Sequence, residues 1–66
     1  MLMNVTFTKT PIVIRDEAFG TDEQLVEVRP SIDGTAAPVM YFGPSDTDDR
    51  IQLLVEDSLR RQRLIP

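Results

Sequence analysis

The chain contains no Cys and no His, so the groups whose spacing could do chemistry are chiefly its clustered carboxylates and guanidinium groups. Thiolate nucleophiles, disulfides and Cys-based metal sites are excluded, and the commonest general base and transition-metal ligand is missing. The densest acidic run is Asp46-Thr47-Asp48-Asp49. Read as a calcium loop opening at Asp46, it would place Asp48 at the third ligand position and Asp57 at the twelfth. The loop fails at its fifth position, where Arg50 replaces an acid or Asn. It fails again at its sixth, where Ile51 replaces the Gly of the sharp turn. A helix start explains the same acids, so no metal is expected.

Asp16, Glu17, Asp22 and Glu23 are of the right type for paired acid–base work, which needs an enclosed pocket to shift their pKa values. A chain of 66 residues is short for building one. There is no P-loop, G-x-G-x-x-G or G-x-S-x-G, and Gly20, Gly34 and Gly43 read as turn residues. Solvated surface charge is the expected role of these acids, with no cofactor and no enzymatic activity. The only basic cluster is Arg60-Arg61-x-Arg63, which could contact phosphate. A net charge of −4 and a sequence pI near 4.5 oppose a nucleic-acid backbone, so a nucleic-acid partner is not the leading expectation.

These groups must be positioned by a small fold. An apolar fraction of 41% with 27% charged residues belongs to folded chains rather than disordered ones. One small domain over residues 1–66 is expected, near the lower size limit for a single hydrophobic core, which favours support from a dimer or another partner. No apolar run reaches the roughly 18 residues of a membrane span, and the start MLMNVTFTK lacks the apolar stretch of a secretory signal. A cytoplasmic location is the default expectation.

Residues 45–65 carry a full set of helix signals. Ser45 with Asp48 resembles a capping box. Asp46, Asp48 and Asp49 suit the N-terminal end of the helix dipole, and Arg60, Arg61 and Arg63 suit its C-terminal end. Asp46–Arg50, Glu56–Arg60 and Asp57–Arg61 are spaced as i,i+4 pairs. Ile51, Leu54, Val55 and Leu59 form an apolar stripe, extended by Ser58, Gln62 and Ile65. Leu53 and Leu64 project to nearly the opposite side, flanked by Asp49, Asp57 and Arg60, and suggest a second contact face.

Before the helix the pattern is that of strands. Met1 to Met3 read as a frayed or edge-packed start. Val5 and Phe7 alternate with threonines, and Ile12-Val13-Ile14 resumes after Pro11, which suits an edge strand. Residues 15–22 read as a charged connection with Phe19 folding back as a plug. Asp33-Gly34 is a favoured type I′ pair and predicts a hairpin. Its register would set Ile32 opposite Thr35, Val28 opposite Val39 and Val26 opposite Tyr41. Leu25, Glu27, Met40 and Phe42 would then share the other face, while Pro30 and Pro38 spoil pairing near the tip.

The predicted fold is α+β: a three-stranded antiparallel meander (strands about 4–14, 24–29 and 38–42) with one C-terminal helix (about 46–64) packed on one sheet face. One helix covers one face, leaving Leu25, Met40 and Phe42 as an exposed apolar patch of the kind that marks interfaces. The leading functional expectation is a non-enzymatic module that binds a protein. One form would be a phage or mobile-element inhibitor occupying a basic groove on a host protein, such as a nucleic-acid-binding defence complex. The partner surface would comprise Leu25, Glu27, Met40 and Phe42 with Asp49, Leu53, Asp57 and Leu64. The first alternative is a virion or complex assembly subunit acting through homo-oligomerisation. The second is a nucleic-acid-binding accessory protein using Arg60, Arg61 and Arg63.

Overall fold

A computed structural model describes residues 3–66; Met1 and Leu2, part of the expected frayed or edge-packed start, lie outside the described residues. Five elements follow in order: β1 (Val5–Asp16), β2 (Thr21–Ile32), β3 (Thr35–Ala36), β4 (Met40–Phe42) and α1 (Asp48–Arg61). β2 lies at the centre of one antiparallel sheet, with β1 on one side and the short β3 and β4 on the other. The architecture is the expected α+β meander and helix, with β3 as a small addition.

β1 is one continuous strand through Pro11 and runs two residues further than its pattern suggested, to Asp16. It pairs with β2 along its whole length, from Val5 opposite Ile32 to Asp16 opposite Thr21. The ladder can be phased from one bond. Ala37 N–H donates to the Pro30 carbonyl at 2.9 Å, so Pro30 directs its backbone groups toward β3 and β4. In an antiparallel ladder such positions alternate. The odd-numbered residues of β1, opposite the even-numbered residues of β2, therefore point their backbone groups outward to the open edge. Pro11 is among them, so its missing N–H falls on the edge and breaks no ladder bond. Gln52 Nε2 donating to the outward Val5 carbonyl at 3.2 Å fits the same phase.

Asp33-Gly34 forms the expected two-residue turn, with φ of 51° and 85° and Ile32 opposite Thr35. Beyond it the predicted register is wrong by one residue. Val26 faces Phe42, Glu27 faces Tyr41 and Val28 faces Met40. The extra residue is taken up at 37–39, between β3 and β4, opposite the proline that has no N–H to offer them. Because side chains alternate with period two, this slip exchanges the faces of β4. Phe42 is 8% exposed and lies in the core, whereas Tyr41 is 57% exposed. Met40 packs against the core with Val26 and Val28, while Val39 is exposed.

The helix begins later than expected. Thr47 is the N-cap, its hydroxyl accepting from Arg50 N–H at 3.3 Å, and Asp46 instead accepts from Gly43 N–H at 3.0 Å. The apolar stripe behaves as read: Ile51, Val55 and Leu59 are buried with Val28 and Phe42, and Val5, Phe7, Ile32, Leu54 and Ile65 pack around them. The helix stops at Arg61 through a Schellman arrangement, with Leu64 N–H on Leu59 O at 2.9 Å and Arg63 N–H on Arg60 O at 3.0 Å. Arg63 occupies the left-handed position, at φ 59°, where glycine is usual.

Candidate functional site

The helix covers only part of the sheet. It opens beside Lys9, which pairs with Asp48, and one turn later Gln52 reaches Val5. From Lys9 to Val5 it therefore runs back along β1, toward the end closed by Asp33-Gly34. The opposite end of the β1–β2 hairpin has no element packed on it. Every residue from 13 to 24 is exposed, and the half-buried pair Ile12 and Leu25 marks where the uncovered part begins. Beyond that pair lie the pairings Val13–Gln24, Ile14–Glu23, Arg15–Asp22 and Asp16–Thr21, reaching about 14 Å before the turn. This arm gives the molecule its elongated extents of 49 × 20 × 18 Å.

At the tip, Ala18 N–H donates to Asp16 Oδ1 at 3.0 Å and Gly20 takes φ 64°, closing residues 17–20 as a short loop. Phe19 does not fold back as a plug. It is 82% exposed, because the tip lies beyond the reach of the core. Val13 on the helix side of the sheet and Ile14 on the outer side are exposed as well, so the arm shows apolar groups on both faces. Arg15 and Asp22 form a cross-strand ion pair at 3.2 Å, which leaves Asp16, Glu17 and Glu23 without a cationic partner among the described residues. One arginine against four carboxylates puts −3 of the chain's net −4 on the arm.

The outer sheet face has an apolar patch, but not of the membership expected. Leu25 belongs to it, beside Ile12, Ile14 and the exposed Tyr41, all on the side away from the helix. Met40 and Phe42 do not, since the register slip turns both to the core. Glu27 lies on the outer face, half-buried, and accepts from Arg29 Nε at 2.7 Å.

On the helix, Asp49 is exposed and Leu53 is 63% exposed, one turn apart on the outward side. Asp57 is half-buried and pairs with Arg61 at 3.0 Å. Leu64 is exposed but does not continue their line, because the left-handed Arg63 turns the chain off the helix axis before it. Arg60 does not pair with Glu56: its Nε donates to the Pro66 carbonyl at 3.2 Å, and Glu56 accepts from Gln52 Nε2. The expected partner surface is thus divided among an outer-face part, a helix part and a part turned to the core, the half-buried Met40 and the buried Phe42.

Among the described residues, no group of three or more His, Cys, Asp or Glu is placed to hold a metal ion, and no helix is long and apolar enough to cross a membrane. The arm is an acidic ribbon with an aromatic tip, held out from a helix-backed sheet. That defines the class, a small α+β domain with a projecting β-hairpin. The chain matches no family model, no curated protein and no solved structure. Sequence reasoning missed the arm, because the pattern ends the strands near 14 and 24 and leaves 15–22 as a connection. In the structure both strands run 12 residues and close at 17–20, and the 14-residue helix is too short to cover them end to end.

Proposed function

We propose that the protein is a non-enzymatic binding module whose arm engages another protein through a basic surface that contains an apolar pocket. The observation that carries this reading is the arm itself. It places Val13, Ile14 and Phe19 in water with no core to serve, on a segment that carries −3 of the chain's net −4. Exposed aromatic anchors at the centre of a contact supply most of the binding energy, and a charged rim sets encounter rate and specificity. A basic groove built for a phosphate backbone has the complementary charge, so an inhibitor that blocks nucleic-acid binding is the specific form proposed.

Capture of protein from lysate of the cells in which the chain occurs, compared with two variants, tests this. Phe19→Asp should lose the captured protein, and Leu53→Glu, on the helix, should retain it. The captured protein, once purified, should bind nucleic acid less well when the intact chain is added. Equal capture by Phe19→Asp and the unaltered chain would refute the arm as the binding element.

A further inference from the structure

β2 is paired unequally on its two sides. On one side β1 runs against all of it, from Thr21 to Ile32. On the other, β4 covers Val26 to Val28 and β3 covers Ser31 and Ile32. Thr21 to Leu25 have no strand on that side. In the phase set by Pro30, the even-numbered residues of β2 turn their backbone groups that way, as Val28 and Val26 do toward Met40 and Phe42. Asp22 and Gln24 are next in the series, so each holds an N–H and a C=O out at this edge. β4 cannot be extended to meet them. Pro44, the residue that would fall opposite Gln24, has no N–H. The turn closed by Asp46 N–H on Gly43 O at 3.2 Å then takes the chain out of the sheet.

The other long edge is obstructed. Along β1 the outward residues include Pro11, which has no N–H, and Lys9 and Arg15, whose charges discourage a further strand. Gln52 already occupies the Val5 carbonyl. Thr21 to Gln24 are all exposed and contain neither Pro nor a cation. They present Asp22, which pairs with Arg15 on β1, and Glu23, which has no cationic partner among the described residues. These acids decide the occupant. A second copy pairing antiparallel here would set Glu23 against Glu23, or Asp22 against Asp22, according to register. Like charges directly opposite are destabilising, so the edge is closed to its own kind. A strand carrying Lys or Arg at that place has the opposite sign.

We propose that residues 21–25 are a strand-addition site: the basic partner of the arm supplies an extended segment that pairs antiparallel with this edge, in line with β4. The proposal rests on the reading of the arm as the binding element. Asp22 and Gln24 each donate and accept one main-chain hydrogen bond, which gives the attachment. Side-chain alternation gives the selectivity, because strand pairing fixes which residues meet. The partner residue opposite Glu23 is Lys or Arg. The one two places along, opposite Leu25 on the same outer face, is apolar and falls in line with exposed Tyr41.

A synthetic peptide, acetyl-Thr-Val-Thr-Lys-Thr-Lys-Thr-amide, is the probe, with its Val placed for Leu25 and its first Lys for Glu23. Added to isotope-labelled chain at about 10 mM salt, it should shift the amide signals of residues 21–25, with half-saturation near about 1 mM. At about 5 mM peptide, hydrogen exchange of the Asp22 and Gln24 amides should slow about sixfold, while Val13 and Arg15 on the other edge keep their rates. Binding should weaken at least about tenfold at about 1 M salt. N-methylation of the third and fifth peptide residues, whose N–H groups face the edge, should abolish binding. The same change at the fourth and sixth, which face away, should not. Phe19→Asp should bind the peptide at least as tightly as the unaltered chain, although it loses partner capture. Three results would each overturn the proposal: no shift at residues 21–25 by about 5 mM peptide, shifts centred on Val13 and Arg15 instead, or equal binding by the two methylated forms. Any of them, with partner capture still dependent on Phe19, would discard strand addition and leave the arm as the binding element.

Discussion

If the arm is outside the core, it can be removed. Replacing residues 13–24 by Asn-Gly joins Ile12 to Leu25 and shortens the chain by ten residues. The junction is suited to it. In the phase of this ladder, Ile12 and Leu25 are a hydrogen-bonded pair, as Ile32 and Thr35 are, and such a pair flanks a type I′ turn. None of the excised residues is buried, and the half-buried Ile12 and Leu25 are kept. The arm must meet an ordering cost of about 1–2 kcal/mol per residue from its own cross-strand bonds, so its net contribution is close to zero. Stability should therefore change by less than about 1 kcal/mol, or no more than about 8 °C in Tm for a chain of this size. Thermal unfolding followed at 222 nm measures it, and partner capture should be lost in the same protein. Loss of cooperative unfolding, or a fall in Tm beyond about 15 °C, would show instead that the arm supports the core.

Two further tests address the fold that holds the arm. Phe42→Ala should cost about 3–5 kcal/mol while Tyr41→Ala stays within about 0.5, measured by urea unfolding; comparable costs at the two positions would restore the unslipped register. Arg63→Gly should stabilise by about 0.5–1 kcal/mol, because the left-handed position costs a side-chain-bearing residue roughly 1–2 kcal/mol and glycine's extra unfolded entropy offsets part of that gain. A lowered Tm in Arg63→Gly would contradict the assigned helix end.

Several features were legible in the order of residues because they depend on neighbours. The apolar stripe of Ile51, Val55 and Leu59, the Asp33-Gly34 turn and the edge position of Pro11 all rest on local spacing or local backbone chemistry. The face of β4 was not legible, because a single added residue at 37–39 inverts it. Pro30 and Pro38 marked where pairing weakens, without stating how many residues would be absorbed there. The exposure of Phe19 was hidden for a different reason. An apolar residue in a charged stretch can be covered or left in water, and only the distance between the tip and the helix shows that nothing reaches this one. The candidate surface moved accordingly, from Met40 and Phe42 to Ile12, Ile14, Tyr41 and the arm, while Leu25 and Leu53 remain on the surface.

The half-buried pair of Ile12 and Leu25 has a consequence for how such a protein can change over generations. On one side of it, substitutions at Val28, Phe42 or Leu59 must respect close packing, and most would be removed with the fold. On the other side, positions 13–24 have no packing partners in the core, so their identities can drift or be selected by whatever they meet. The pair is the frontier between a scaffold held by packing and a stretch whose residues no core contact constrains.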